Sequence, residues 1–329
     1  MKVGDTPRAR QAPDPLLEAS TADATAPVPS PRGTELSLAV MVIVWAVNFS
    51  VVKRALDVFN PLAFNALRYV LASLFVLAVL RLRGPIRWPT RHDFPRFLLV
   101  GILGNVLYQL AFIYGINYTR AGNASVMMAL TPLVVALLSW RVGHEQPGPL
   151  TWFGGACSLM GVALVSGASL RVEGTATTLL GDLILVGAVV LWALYTVAAR
   201  GLILRYGSVM TTAWTMWLGG AVLVLVGIPS MVTQEWSAVH GVAWGGLAYS
   251  AFLSIGLSYL IWYRAVERIG STRTSIYSNL TPAVALIVAA VWLGERLTLF
   301  SILGALLTIG GVMLVRSDPG SRRPVAQGD

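Results

Sequence analysis

Apolar residues fall in long blocks along this chain, separated by short links containing polar residues, Gly or Pro. The blocks are about 17–25 residues long, the length that carries a helix across a hydrocarbon core of about 30 Å. Ten spans follow, near residues 36–52, 61–80, 97–119, 121–140, 150–170, 179–199, 208–232, 242–263, 274–293 and 297–315. Membrane strands would need alternation over about ten residues, and the sequence shows none. Residues 1–34 are rich in Pro, Ala, Ser and Thr without an apolar period, which predicts a disordered tail with no signal-peptide core; residues 317–329 form a second polar tail.

Composition agrees with the pattern. Hydrophobic residues make up 56% of the chain and charged residues 12%, with mean hydropathy +0.70. So few charges cannot clothe a water-facing surface, where roughly a quarter of residues are charged. The single cysteine, Cys157, excludes an intrachain disulfide or thiolate cluster, and no cofactor or metal is expected. The net charge of +9 could point to nucleic acid, but the basic residues are spread through links and tails. Eighteen fall on the side of the N-terminus and five on the other side (Lys53, Arg54, Arg120, Arg171 and Arg296), with Arg68 inside a span. That asymmetry predicts a multi-pass protein of the cell membrane with both termini cytoplasmic.

The second half echoes the first. Thr131-Pro132 matches Thr281-Pro282 at an offset of 150 residues, and the same offset carries Glu145 to Glu295, Gly154 to Gly304, Gly161 to Gly311 and Val165 to Val315. Trp45-Ala46 matches Trp192-Ala193 at an offset of 147. Five spans per repeat, at 35–170 and 171–316, is an odd number, so the second repeat enters from the opposite side. The expected fold is all-α integral membrane: ten helices as two inverted five-helix repeats around a central cavity, an arrangement suited to alternating access.

These residues resemble a known family. Trp45-Ala-Val-Asn48-Phe49, Pro61 to Arg68, Leu130-Thr-Pro132 with Glu145, Leu280-Thr-Pro282 with Leu293-Gly-Glu295, and Gly304 to Gly311-Val312 look like the EamA-type drug/metabolite transporter pattern. The resemblance covers about residues 36–316. It implies ten helices in two inverted halves and export of small metabolites, often amino acids, or of drugs. The first repeat departs in having His144-Glu145 where the second has Gly294-Glu295.

Several residues are candidates for the site. Trp45 and Trp192 lie near the middle of their spans with Asn48 and Tyr195 three residues on, and a pair of facing indoles could hold a planar or cationic ligand. Asn105, Tyr108 and Gln109 are large polar groups on span 3 that need wet partners; Tyr259 and Tyr277 join them from spans 8 and 9. Pro132 and Pro282 are mid-helix hinges, freeing the carbonyls of Met128 and Ser278. Arg68 either receives a substrate carboxylate or caps carbonyls between helices, the structural role being favoured. Gly104 and Ser250 read as packing positions, as do the glycines of spans 5 and 10. Glu145 and Glu295 are expected to bond the free N–H groups of the span that follows each.

An intramembrane protease is the rival class. His92, His144 and His240 all fall in links and no span pairs two carboxylates, so the chain is not read as an enzyme. The acidic residues lie in tails, links or span ends, Asp182 coming deepest, which argues for transport without proton coupling; a proton-coupled multidrug or cation antiporter is the alternative. Expected partners are the lipid bilayer and a small-molecule substrate, with no nucleic acid; a homodimer is left open.

Overall fold

The computed structural model describes residues 31–142, 148–173, 176–269 and 271–317. Glu145 and the two expected tails, apart from residues 31–34 and Ser317, lie outside them. The described residues from Ser37 onward form one compact unit, and the helices discussed below belong to it from that residue on.

Every element among the described residues is a helix. In chain order they are α1 (Pro31–Ala55), α2 (Pro61–Arg83), α3 (Phe94–Tyr118), α4 (Ala121–Arg141), α5 (Pro149–Glu173), α6 (Ala176–Tyr206), α7 (Ser208–Val232) and α8 (Gly241–Ile269). Then follow α9, in the pieces Ser271–Tyr277, Ser278–Leu280 and Thr281–Leu293, and α10 (Leu299–Ser317). Eight of these are long and apolar enough to cross a membrane, and the apolar parts of the last two, Thr281–Leu293 and Leu299–Val315, are shorter.

Local chemistry sets the boundaries. Asn60 caps α2, its side chain accepting from the Leu62 N–H at 3.0 Å, with Pro61 at the first helical position. Gly207 separates α6 from α7 at φ +81°, a left-handed conformation that glycine adopts without a Cβ penalty. Trp88, Trp140, Trp152, Trp236, Trp244 and Trp292 are exposed near helix ends, as an interfacial belt requires.

Small residues bring α5 and α10 together. A Cβ at Gly161 would strike the Gly304 carbonyl and the Thr308 side chain; one at Gly311 would strike the Gly154 carbonyl and the Ser158 side chain. Between them the Ser158 hydroxyl donates to the Thr308 carbonyl at 3.2 Å, and the Thr308 hydroxyl to the Ser158 carbonyl at 3.4 Å. The contacts are reciprocal in the 150-residue register and run antiparallel.

Two expectations change at the helix ends. Glu295 does not bond the helix that follows it: its carboxylate accepts from the Ala121 and Gly122 N–H groups at 2.8 and 3.0 Å, at the start of α4 in the other half. The free N–H groups of α4 and the positive end of its dipole are what a carboxylate complements, and tertiary packing brings them nearer than the start of α10. Pro132 and Pro282 sit at breaks, not inside kinked helices. α4 ends at Met128 and restarts at Thr131, and α9 passes through a tight turn at Ser278–Leu280 before restarting at Thr281. Each proline thereby occupies a first-turn position, where its missing N–H costs nothing.

Candidate substrate cavity

A narrow cavity of about 60 Å³ opens between α1, α2, α3, α4, α6, α8 and α9. Two irregular helices shape it. α3 runs as a π-helix over Leu103–Leu107 and α8 over Tyr249–Leu257, whose last five residues stand 150 positions after those of α3. The wide turn in α8 leaves the Ser254 carbonyl able to accept from the Trp45 indole N–H at 3.0 Å. In α3 the absent side chain of Gly104 makes room for the Tyr195 ring.

The wall is built largely of equivalent residues. Trp45 with Trp192, Gln109 with Tyr259, Phe112 with Trp262, Met128 with Ser278 and Thr131 with Thr281 all line it, each pair separated by 150 residues or, for the tryptophans, 147. Trp45 and Trp192 meet edge to face at 5.8 Å and 83°, so no slot remains between the two indoles for a sandwiched ligand. Trp262 closes the cluster at 5.3 Å from Trp45 and 5.5 Å from Trp192. Edge-to-face packing is the favoured arrangement for rings that carry opposite charge at face and edge.

Of the sequence candidates, Trp45, Asn48, Tyr108, Gln109, Trp192 and Tyr259 line the cavity. Asn105, Tyr195 and Tyr277 do not. Asn105 is fully buried behind the wall, accepting from the Tyr69 hydroxyl at 3.0 Å and donating to the Thr215 carbonyl on α7 at 2.9 Å. Tyr195 is buried over Gly104 with its hydroxyl 3.4 Å from that of Thr215. Tyr277 packs against the apolar core. The Ser250 side chain turns from the Ser254 position towards Arg68, and Asp182 lies away from the cavity, accepting from the Thr119 hydroxyl at 2.7 Å.

Arg68 lines the cavity and is the strongest charge in it, yet only 1% exposed. Its guanidinium donates to Asn65 Oδ1 at 2.7 Å, Ser250 Oγ at 3.1 Å and Gln109 Oε1 at 2.5 Å, all neutral acceptors. Gln109 in turn donates to the Tyr259 hydroxyl at 2.7 Å. The rings of Phe64 and Phe112 flank the guanidinium at 5.5 and 5.7 Å. No carboxylate pairs with it among the described residues. Three further buried polar atoms of the lining have no hydrogen-bond partner: Asn48 Oδ1, Thr281 Oγ1 and Trp262 Nε1.

The sequence pattern of the EamA-like transporter family matches residues 33–167 and again 179–317. The chain belongs to that family. It is similar to the uncharacterized transporter YyaM of Bacillus subtilis, with 29% identity over 81% of this chain and 88% of the relative. It is also similar to a protein of Streptantibioticus cattleyicolor named as a probable terminal-alkyne amino-acid exporter, with 30% identity over 87% of this chain and 95% of the relative. A solved crystal structure with 19% identity matches 87% of this chain and 96% of its own with a TM-score of 0.65, a likeness of fold. This EamA-family protein is thus a multi-pass membrane protein of transporter type.

Proposed function

We propose that the protein exports small metabolites, amino acids or related compounds or drugs, across the cytoplasmic membrane by alternating access, with the central cavity as its substrate site. The observation that carries this reading is the cavity wall made of equivalent residue pairs, two of which, Gln109 with Tyr259 and Trp45 with Trp192, touch each other. Mutual contact between equivalent positions is what a two-fold axis produces. The antiparallel reciprocal packing of α5 on α10 supports an axis perpendicular to those helices, hence in the membrane plane. On this reading the ten helices are two inverted repeats, 35–170 and 171–316, with both termini cytoplasmic. Exchanging the conformations of the two halves would expose the cavity first to one side and then to the other. The breaks beside Pro132 and Pro282 are the hinges, since their helical hydrogen bonds are already interrupted.

Amino acids are the first substrates to test, because one relative is named as a probable exporter of one kind of them. Transport is expected to need no proton gradient, because no Asp, Glu or His lines the cavity among the described residues. Purified protein in proteoliposomes should exchange labelled L-leucine against unlabelled leucine without a pH gradient. Accumulation that needs a pH gradient, and that selects cationic dyes over amino acids, would favour a proton-coupled multidrug antiporter.

A further inference from the structure

A second concavity lies on the lipid-facing side of the helix assembly, between α1, α8 and α9. It measures about 400 Å³, more than the central cavity, and shares no lining residue with it. Its floor is the close contact of α1 with α8, where a Cβ at Gly246 would already touch Val51 and Ala55. The missing side chain of Gly245 leaves it open, since a Cβ there meets nothing within 4 Å. Trp292 of α9, half-exposed, forms a side wall. At one end the Tyr249 hydroxyl donates to the Val44 carbonyl at 3.0 Å and joins α8 to α1. At the other end stand Arg54 and His240, both exposed.

We infer that this groove binds a membrane phospholipid, with one acyl chain lying along it and the phosphate resting against Arg54 and His240. The length fits. From Val47 to Ala55 the α1 wall advances about 12 Å. One leaflet of hydrocarbon is about 15 Å, half of a core of about 30 Å. A helix about 10 Å wide would need a longer seat, and Tyr249 blocks its path. The depth fits as well. Trp236, Trp244 and Trp292 belong to the aromatic belt, which puts the Arg54 end at the level of lipid headgroups. Apart from the Trp292 indole, the polar side chains of the lining sit only at its two ends. Asp57 accepts from Arg54 at 2.9 Å, but an exposed pair contributes little, and a guanidinium has five N–H donors. The His240 imidazole offers a further donor in either protonation state. No side chain caps the start of α8, so the Gly241 and Val242 N–H groups stand at the same end. Bulk lipid meets apolar surface everywhere on the protein; this recess differs in joining a chain-length slot to phosphate donors. The inference does not rest on the transport reading, and on the proposed topology the lipid belongs to the outer leaflet.

The test uses full-length protein, delipidated in detergent, with bound lipid counted by native mass spectrometry. Palmitoyl-oleoyl phosphatidylglycerol carries both chain and phosphate, the matched diacylglycerol only the chains, and glycerol 3-phosphate only the phosphate. One phosphatidylglycerol should bind at least about tenfold more tightly than further copies, the diacylglycerol or glycerol 3-phosphate. Gly245→Phe fills the recess and should remove this one site. Arg54→Gln and His240→Gln should each weaken it about fivefold. Trp292→Phe keeps the wall apolar but removes its fluorophore. A saturable quench by chain-brominated phosphatidylglycerol, present in wild type and lost in Trp292→Phe, places the chain in the groove even if Gly245→Phe does not fold. Equal retention of lipid by wild type and folded Gly245→Phe, or a saturable quench that survives Trp292→Phe, would overturn the site. Diacylglycerol bound as tightly as phosphatidylglycerol would overturn the phosphate contact. A dimer that Gly245→Phe dissociates, with lipid binding unchanged, would make a second copy of the chain the occupant and overturn the proposal.

Discussion

Gln109 and Tyr259 are 150 residues apart, occupy the same place in the two halves of the chain, and are hydrogen-bonded to each other at 2.7 Å. On the proposed inverted repeat this contact marks the axis between the halves, as contacts between equivalent residues do on the two-fold of a symmetric dimer. Gln109 also accepts from Arg68, so the buried charge is tied to this contact.

The same register makes a mirror prediction for α5 and α10. An added methyl at Gly161 meets Gly304 and Thr308, and one at Gly311 meets Gly154 and Ser158, the equivalent set. Gly161→Ala and Gly311→Ala should therefore destabilise by similar amounts, about 1–3 kcal/mol each, as overpacking does. Gly187→Ala, where a Cβ would meet nothing within 4 Å, should be neutral or stabilising. Thermal unfolding in detergent reads all three, and a large difference between the first two would remove the packing symmetry.

An acid-sensitive clamp ties the start of α3 to the end of α6. Asp93 accepts from the Tyr206 hydroxyl at 2.7 Å, Arg205 at 2.6 Å and the Thr90 hydroxyl at 3.1 Å. The Tyr206 bond first, and then Arg205, holds its carboxyl well below the usual carboxylate range. A folded-state value below the unfolded one means stability that is present above the unfolded value and lost as pH falls through the folded one. The loss should begin near pH ~4, the ordinary value for Asp. Asp93→Asn should lower the unfolding temperature at neutral pH and flatten its fall below about pH 4. Unfolding curves of both proteins across that range check it; parallel pH profiles would show that Asp93 does not carry the effect.

Much of this arrangement is legible in the sequence, and the exceptions have physical causes. Helix positions follow from apolar block length, and the repeat from a constant offset, because both are local or periodic signals. Asn105 was expected on the cavity beside Tyr108 and Gln109, since helical spacing of three and four residues shares a face. Asn105 sits inside the π-helix at Leu103–Leu107, whose wider turn breaks that three- and four-residue spacing, and its side chain meets Thr215 on α7. No single-residue signal announces that turn; Gly104 beneath Tyr195 is the nearest to one. Trp262 and Phe112 are not among the sequence candidates, although the 150-residue offset that relates Gln109 to Tyr259 relates them too. Thr131 and Thr281 enter the sequence pattern only as neighbours of the prolines. The Glu295 contact with α4 joins residues 173 and 174 apart in the chain, and no spacing rule reaches across such a distance.

The asymmetry of the basic residues predicts the topology we propose. Reporter fusions at Pro85 and Gly207 should report the cytoplasm, and fusions at Val172 and Trp236 the outside. Two or more reversed sites would contradict the inversion of the second repeat.

The most direct measurement asks whether one cavity opens to both sides. In a Cys157→Ser background, Thr131→Cys and Thr281→Cys place single thiols at equivalent positions of the cavity wall, while Tyr195→Cys places one behind it. An impermeant thiol reagent is applied to right-side-out and to inside-out vesicles, with and without L-leucine. Alternating access predicts that both wall thiols react from either face and are protected by leucine, and that the thiol at position 195 stays inert. Wall thiols that react from one face only, under every condition, would contradict it.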